Sequence, residues 1–248
     1  MLDRNLIKLI HSLEYKKYRK RANLFVAEGP KTVGDMMRRI KPYKILATSE
    51  WTLPNSIDSD VISVTDDELA KISFLQHPQS VLALFHIPET SDDVIDPNNK
   101  LILVMDGIQD PGNFGTIIRI ADWFGIDTIV CSKDTVDAYN PKTVQATMGS
   151  LARVNIIYKD IDALLDKFSG EVPIYGTLLD GENIYTTPLK PYGFVIMGNE
   201  GNGISQEIKN KITTKLLIPN FGDKDTAESL NVAIATAITC SEFMRRKQ

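Results

Sequence analysis

The sequence predicts an α/β protein in which a small α/β domain precedes a larger domain with a mainly parallel sheet flanked by helices. From residue 100 onward, short β-branched apolar segments alternate with helical segments, which is typical of a parallel sheet with crossover helices. An acidic, polar stretch over residues 89–99 separates this region from the first 88 residues. Hydrophobic residues make up 43% of the 248 and charged residues 24%, which excludes a disordered chain.

The first domain is predicted over residues 1–88. Apolar residues at helical spacing predict a helix over Leu2–Lys20, and a second helix over Lys31–Ile40 follows the glycine–proline pair at 29–30. Short apolar runs predict the strands Leu24–Ala27, Ile45–Thr48 and Val81–Phe85.

The second domain is predicted over residues 100–248, after a linker at residues 89–99. Its predicted strands are Leu101–Met105, Thr128–Cys131, Val154–Ile157, Ile174–Leu178, Phe194–Met197 and Leu216–Ile218. Its predicted helices are Asn113–Phe124, Asp160–Phe168, Ser205–Lys211 and a last helix over about Ala227–Arg246. Ligands of such sheets bind beyond the carboxyl ends of the strands, so the loops there are the candidate site.

Positive charge is concentrated at the start of the chain. The first fifty residues hold 12 Lys and Arg against 5 Asp and Glu, although the net charge of the whole chain is −4. Such a segment could contact phosphate groups, whereas charge alone favours a solvated helix surface. The densest part, which we call the basic cluster, is Lys16, Lys17, Arg19, Lys20 and Arg21.

Several other functional classes lack their sequence signals. No apolar run approaches the ~18 residues of a membrane span, and no signal peptide is evident, so we expect a cytoplasmic protein without a membrane partner. The two cysteines, Cys131 and Cys240, are expected to be reduced, and no metal-ligand spacing occurs, so no metal is expected. All three histidines precede the linker, and the sequence contains no nucleophile elbow, P-loop or GxGxxG fingerprint.

The first candidate motif spans residues 105–125 and begins where a strand ends. Asp110-Pro111-Gly112 predicts a turn, and Asn113 is expected to cap the helix that follows. On a helical wheel, Arg119 lies well off the apolar stripe. An ordinary exposed arginine is the alternative interpretation.

The second and third motifs also follow predicted strands. In FVIMGNEGNGIS, residues 194–205, glycines would allow a close approach to a ligand, and Ser205 could cap the next helix. For Glu200, in the middle of the glycines, the alternative is a structural role in which its carboxylate accepts hydrogen bonds from loop N–H groups. In LLIPNFGDKDTAESLNVAIATAI, residues 216–238, Ser229 and Asn231 precede a helix of small residues, and capping of that helix is their alternative role.

Together and in this order, the three motifs resemble the signature motifs of the SpoU (TrmH-type) RNA ribose 2′-O-methyltransferases. Residues 23–37, NLFVAEGPKTVGDMM, resemble the small RNA-binding domain that many members carry. The resemblance implies a SPOUT fold with a C-terminal trefoil knot, which is an exception to the rule that chains do not thread loops. It also implies S-adenosylmethionine as the cofactor and a homodimer, with the small-residue helix at the interface.

The resemblance further implies the site residues. The cofactor would be held mostly by backbone groups of Thr177, Leu178, Gly198, Asn199, Gly201, Ile218, Pro219 and Leu230. The catalytic residues would be Asn113, Arg119, Glu200, Ser229 and Asn231. A guanidinium holds its proton at neutral pH, so we assign Arg119 to the phosphate and the 2′-hydroxyl and leave base catalysis open.

Three departures from the family pattern concern the third motif. Asn220 stands where many members have methionine, Ala233 where some have serine, and the stretch 220–227 is longer than usual. None removes a candidate catalytic side chain. The expected substrate is ribosomal RNA; the alternatives are transfer RNA and a non-catalytic RNA-binding protein in ribosome assembly. Deletion of residues 1–88 is expected to leave a folded, dimeric, cofactor-binding core.

Overall fold

The structure, a computed structural model, describes residues 2–54, 59–222 and 227–246 and divides into two compact units. The first unit comprises Met1–Glu89 together with Asp137–Arg153, and the second comprises Thr90–Val136 and Val154–Gln248. The predicted linker at residues 89–99 therefore does not separate the two units completely, because a later segment, Asp137–Arg153, also belongs to the first unit.

The elements of the described residues are numbered in chain order. The α-helices are α1 Arg4–Ser12, α2 Lys16–Ala22, α3 Pro30–Met37, α4 Asp66–Ala70, α5 Pro111–Trp123, α6 Pro141–Thr147, α7 Ile161–Lys167, α8 Gln206–Lys209 and α9 Val232–Arg245. The strands are β1 Leu24–Glu28, β2 Pro42–Ala47, β3 Val61–Ser63, β4 Val81–His86, β5 Leu101–Asp106, β6 Thr128–Cys131, β7 Asn155–Tyr158, β8 Ile174–Asn183, β9 Gly193–Gly198 and β10 Thr214–Leu217.

The first unit is built on a mixed sheet with strand order β1-β4-β2-β3. β4 is antiparallel to β1 and to β2, whereas β3 is parallel to β2. The single helix predicted over Leu2–Lys20 is in fact two, α1 and α2. α1 ends at Ser12, with Leu13 as its C-cap residue. The Arg19 guanidinium donates to the carbonyl oxygens of Leu13 and Glu14 at 2.8 and 2.7 Å, which stabilises the turn between the two helices.

The second unit is built on a parallel sheet with strand order β10-β8-β9-β5-β6-β7. Every pair of neighbouring strands in this order is parallel. Its central strands are fully buried apart from their last residues, as their continuous apolar sequences require. The predicted fold class, a mainly parallel sheet flanked by helices after a small α/β domain, is confirmed.

Two helix boundaries differ from the prediction because of local capping. The last helix begins at Val232 rather than near Ala227, since the Asn231 side chain accepts hydrogen bonds from the backbone N–H groups of Ala233 and Ile234. The cap of α5 is Asp110, not Asn113, and Pro111 occupies the first helical position. Residues 223–226 of the third motif, and the part of the expected knot that they would form, lie outside the described residues.

The remaining features of the described residues concern membrane spans, metal-ligand clusters and free thiols. No helix in the described ranges is long and apolar enough to cross a membrane, and the same ranges hold no cluster of three or more metal-ligating side chains. Cys131 and Cys240 are both buried free thiols, and burial raises the pKa of each, that of Cys240 to about 12.

Candidate active site

The candidate site lies at the carboxyl ends of β8, β9 and β5, which are neighbours in the sheet of the second unit. Asp106 at the end of β5 is in register with Gly198 at the end of β9, and Gly176 of β8 is in register with Ile196. Parallel strands end at one edge, so the loops after these strands converge there. Asp106 Oδ2 accepts a hydrogen bond of 2.7 Å from the backbone N–H of Ser205, which ties the glycine loop to β5.

β8 leaves the regular sheet at this edge. Gly176 is opposite Lys215, and the next paired residue of β8 is Glu182, opposite Leu216. Residues 177–181 therefore have no partner on β10, and they include the predicted cofactor residues Thr177 and Leu178. The strand returns at Gly181, where a Cβ atom would lie 2.6 Å from the carbonyl carbon of Leu216, so only glycine allows this approach.

Asn199 organises the glycine loop. Its backbone forms a two-way pair with Gly203, with N–H to O distances of 3.0 and 2.9 Å. Its side-chain oxygen accepts from the N–H groups of Gly201 and Asn202, both at 2.9 Å, while its amide nitrogen donates to Gly107 at 2.6 Å. The Asn199 side chain and the N–H of Gly201 therefore hydrogen-bond within the loop. Asn199 and Gly201 are both among the predicted cofactor residues.

Gly198 is confined by backbone rather than by open space. A Cβ atom there would lie 2.3 Å from the carbonyl carbon of Gly203 and 2.3 Å from the nitrogen of Ile204. Gly201, by contrast, is exposed, and a Cβ atom there would meet only Asn199 Oδ1, at an ordinary 3.6 Å. A side chain is therefore excluded at Gly198 by neighbouring backbone, whereas the protein itself leaves room for one at Gly201.

A chain of hydrogen bonds joins the three motifs, and we call Glu200, Asn113 and Asn231 the polar relay. The amide nitrogen of Asn231 donates to Asn113 Oδ1 at 2.9 Å, and the amide nitrogen of Asn113 donates to Glu200 Oε1 at 3.1 Å. Because Asn231 Oδ1 caps α9, its amide nitrogen must face Asn113, which in turn directs its own nitrogen to the carboxylate. The direction of every bond is thereby determined.

Glu200 also holds the turn before α5. Its carboxylate accepts from the backbone N–H groups of Gln109 and Asp110, at 3.3 and 3.4 Å. The sequence prediction that Glu200 accepts from loop N–H groups agrees with these contacts, but the N–H groups belong to the first motif rather than to its own loop. The role of Asp110 as the cap of α5 was missed, although the proline after it is a known signal of a helix start.

Arg119 and Ser229 stand apart from the polar relay. Arg119 follows Asn113 by six residues on α5, a rise of roughly 9 Å along the helix axis. Its side chain is exposed and, within the described ranges, makes no hydrogen bond or ion pair. Ser229 is exposed two residues before the cap of α9. The structure therefore brings together three of the five predicted catalytic residues.

The remaining predicted cofactor residues flank the chain after β10. Ile218 and Pro219 are half-buried, and Leu230 is exposed.

In the first unit, the basic cluster is divided between surface and interior. Lys16, Lys17, Lys20 and Arg21 are exposed, but Arg19 is only 2% exposed. Its Nε donates to Asp137 Oδ2 at 3.0 Å, and the guanidinium also forms an ion pair with that carboxylate. The prediction that Arg19 contacts RNA is therefore wrong, because its charge is neutralised and its donors are occupied inside the unit.

Comparisons with known proteins found matches for both the first and the second half of the chain. The profile of the SpoU rRNA Methylase family matches residues 100–241, and that of the MRM3-like substrate binding domain matches residues 4–83. A curated relative, the 23S rRNA (guanosine(2553)-2'-O)-methyltransferase RlmP of Bacillus subtilis (strain 168), is 32% identical over 231 residues, which is 91% of this chain and 90% of the relative.

Several solved structures, among them the following two, are similar along nearly the whole chain. One is a protein of Porphyromonas gingivalis assigned to the TrmH family of RNA methyltransferases, with 40% identity, a TM-score of 0.88 and 99% coverage of both chains. The other is the AdoMet-bound rRNA methyltransferase of Sinorhizobium meliloti, with 29% identity and a TM-score of 0.86, covering 100% of this chain and 97% of the other.

Proposed function

Because the chain belongs to the SpoU rRNA methylase family, it is an S-adenosylmethionine-dependent RNA 2′-O-methyltransferase, and we propose that its substrate is ribosomal RNA. The resemblance of the three motifs to this family is confirmed. The structural observation that supports methyl transfer at this site is the polar relay, in which one residue from each motif meets at the ligand-binding edge of the sheet.

The residues at this edge fit S-adenosylmethionine. The unpaired stretch of β8 and the residues directly after β10 offer backbone groups and the largely apolar side chains of Thr177, Leu178, Ile218 and Pro219, while Asp180 of the same stretch pairs with Lys215. Such a lining suits recognition of an adenosine by backbone and apolar contacts. We propose that the cofactor is held by Thr177, Leu178, Gly198, Gly201, Ile218, Pro219 and Leu230, with Asn199 shaping the loop. When bound, the cofactor supplies an activated methyl group whose leaving group is a neutral thioether.

The protein's part in the reaction is then mainly positioning of the ribose 2′-hydroxyl. Arg119 is exposed and unpaired within the described ranges, so its guanidinium is available to bind the phosphate beside the target ribose. The relay holds the start of α5, the helix that carries Arg119, against the glycine loop. We assign Asn113, Glu200 and Asn231 to this positioning role and Ser229 to contact with the target nucleotide.

Support for ribosomal RNA over transfer RNA comes from the relatives and from the first unit. The relative from B. subtilis is named a 23S rRNA methyltransferase, and the first unit matches a substrate-binding domain. Lys16, Lys17, Lys20 and Arg21 offer exposed positive charge for the RNA backbone. An enzyme that modifies bacterial-type ribosomal RNA would work in the cytoplasm.

We also propose a homodimer formed by α5 and α9, which pack against each other. Trp123 is 85% exposed on α5 and Ile234 is exposed on α9, and apolar side chains so exposed favour a partner surface. The variants Trp123→Glu and Ile234→Glu should be monomers by light scattering. A Tyr185→Glu control, also at an exposed position, should remain dimeric; if all three variants match the wild type, this interface is excluded.

The main experiment compares RNA 2′-O-methylation sites in cells with and without the protein. Loss of one site in 23S rRNA, restored by the purified protein with S-adenosylmethionine on unmodified 23S rRNA, would establish the substrate. Loss of a site in transfer RNA instead would show that transfer RNA, and not ribosomal RNA, is the substrate. The alternative of a non-catalytic assembly protein predicts no lost site and no methyl transfer, and calorimetry with S-adenosylmethionine would then test the cofactor site separately.

A further inference from the structure

The first unit carries exposed tyrosines beside the basic cluster, at the start of α2 and within it. Tyr15 is 61% exposed and Tyr18 is 41% exposed, although large aromatic side chains usually bury their rings. Their rings contact each other edge to face, with centroids 6.4 Å apart, and the Lys17 ammonium lies 6.0 Å from the Tyr18 ring. The aromatic and cationic groups therefore form one surface rather than two.

Helix geometry explains how this surface is arranged. α2 presents Arg19 inward, and at 3.6 residues per turn Lys17 and Arg21 lie roughly 160° away from it, on the solvent side. Arg21 is three residues after Tyr18 and four after Lys17, so all three are neighbours on the helix surface. Lys20 continues the cationic face on the far side of Lys17, and Glu14 is an exposed acidic residue next to Tyr15.

The buried arginine fixes the backbone that carries this surface. Arg19 donates to the carbonyl oxygens of Leu13 and Glu14 and pairs with Asp137. These contacts fix α2 against the residues that directly precede Tyr15. The helix ends at Asn23, whose backbone has a positive φ of 53°. An anchored platform loses little conformational entropy when a ligand binds.

From these observations we propose that Tyr15 and Tyr18 are a stacking platform for unpaired nucleotides, with Lys17, Lys20 and Arg21 binding the adjoining phosphates. Aromatic rings beside cations recognise single-stranded nucleic acid, because each base offers a flat face and each phosphate a negative charge. Double-stranded RNA hides the faces of its bases, so it gains only the electrostatic contacts. This inference rests on the proposed function and specifies the form of RNA that the first unit recognises.

The test uses the full-length protein without S-adenosylmethionine, so that methyl transfer does not enter the measurement. Affinities are determined across a range of salt concentrations for a mixed-sequence single strand of roughly 12 nucleotides, within the range that such sites cover, and for the corresponding RNA duplex. The stacking variant is Tyr15→Leu/Tyr18→Leu, its rescue is Tyr15→Phe/Tyr18→Phe, and the charge variant is Lys17→Gln/Arg21→Gln. Tyr185→Leu is the matched control, since Tyr185 is 42% exposed in the other unit.

The leucine variant should bind the single strand about tenfold or more weakly, with an unchanged slope of log affinity against log salt. The phenylalanine variant and the control should bind as the wild type does, and the leucine variant should keep its affinity for the duplex. The charge variant should flatten the slope by about 0.7 for each phosphate that it no longer binds.

The proposal is overturned if the leucine variant keeps its single-strand affinity, or if it loses affinity for single strand and duplex alike. Thermal unfolding of each variant, followed by circular dichroism, shows whether a loss of affinity comes from misfolding or from the missing rings. If the double leucine variant unfolds the helix, the single variants Tyr15→Leu and Tyr18→Leu make the same comparison. A failure here leaves methyl transfer intact, whereas failure of the proposed function leaves RNA affinity intact, so the two outcomes are distinguishable.

Discussion

At the scale of single residues, the site depends on the direction of hydrogen bonds. Asn113 donates to Glu200 and accepts from Asn231, so neither amide can be reversed without breaking two contacts. Asn113 and Asn231 are separated by 118 positions in the chain, and their contact exists only because α5 and α9 begin side by side.

The first prediction removes one hydrogen bond of the polar relay. Asn113→Asp places a second carboxylate 3.1 Å from Glu200, where the amide nitrogen donates now. Loss of a hydrogen bond to a charged group costs about 1.5–3 kcal/mol, so methyl transfer and the melting temperature should both fall, the former by at least about tenfold. Single-turnover methyl transfer and thermal unfolding measure the two effects.

The control for this prediction is the double variant Asn113→Asp/Glu200→Gln. It restores a donor opposite the carboxylate, while the Gln oxygen still accepts from the backbone N–H groups that Glu200 contacts. Activity should recover part of the way toward the wild type. A double variant no better than Asn113→Asp would show that the relay does not act through this bond.

The second prediction concerns Arg119. Because its side chain is exposed and unpaired within the described ranges, Arg119→Ala should leave the melting temperature and S-adenosylmethionine affinity unchanged while lowering methyl transfer about 100-fold or more. Arg119→Lys keeps the charge but not the planar fork, so its activity should be intermediate. Near-normal turnover of the alanine variant would remove Arg119 from the mechanism.

At the scale of elements, the glycine loop is shaped by backbone contact. The end of β9 passes so close to residues 203–204 that Gly198 has no room for a side chain. Asn199 then closes the turn with its side chain and its backbone. The loop therefore owes its form to Gly198 and Asn199, whereas Gly201 is exposed and has room beside its Cα atom.

The third prediction separates these two glycine roles. Gly198→Ala should lower the melting temperature, because its Cβ atom would lie 2.3 Å from backbone atoms that cannot move independently. Gly201→Ala should unfold at the wild-type temperature, since its Cβ atom meets an ordinary contact of 3.6 Å. Gly201→Val should then bind S-adenosylmethionine more weakly while remaining folded.

Calorimetry with S-adenosylmethionine and thermal unfolding test this comparison. If Gly201→Val binds the cofactor as tightly as the wild type, the cofactor does not contact this loop. If Gly198→Ala is as stable as the wild type, the close approach of β9 to residues 203–204 is not a constraint in solution.

At the scale of the whole molecule, the chain crosses between its units more than once. Residues 137–153 follow β6 in sequence, yet α6 packs on β1 of the first unit, and the Tyr139 ring lies 5.0 Å from that of Phe25. Gly149 has a φ of +93°, and a Cβ atom there would lie 2.5 Å from that of Asp35, so this contact requires glycine. The first unit is thus incomplete without the later segment.

The fourth prediction revises the expected result of deleting residues 1–88. This deletion removes the partners of Tyr139, Val144 and Leu151, which are now buried or nearly so, and it leaves Asp137 without Arg19. The truncated protein should aggregate or melt at a lower temperature than the full chain. Replacing residues 137–153 as well, with a flexible linker of roughly 12 residues, should restore a folded core.

The readouts are solubility, circular dichroism and S-adenosylmethionine binding of the two truncated proteins. In the full chain, Arg19→Met should lower the free energy of unfolding by about 3–5 kcal/mol, as expected for removal of one partner of a buried ion pair, whereas Lys20→Met should change it by less than about 0.5 kcal/mol. A simple deletion of residues 1–88 that stays folded would contradict this account.

Much of this protein follows from its sequence because the relevant signals are local. The strands of the second unit are short apolar runs bounded by turn residues, and β5, β6 and β9 lie within one residue of the prediction at each end. The three motifs are contiguous stretches whose order identifies the family, and the apolar stripe of α5 places Arg119 on the outside.

The remaining features depend on contacts between residues far apart in the chain, which spacing alone does not specify. Burial of Arg19 requires Asp137, more than a hundred residues away, so a run of five positive charges gave no sign that one of them lies inside. The two-helix start, the assignment of residues 137–153 to the first unit and the polar relay have the same origin. In each, a polar group or an apolar face has its partner far away in the sequence, and that partner, brought close only by the tertiary structure, sets its role.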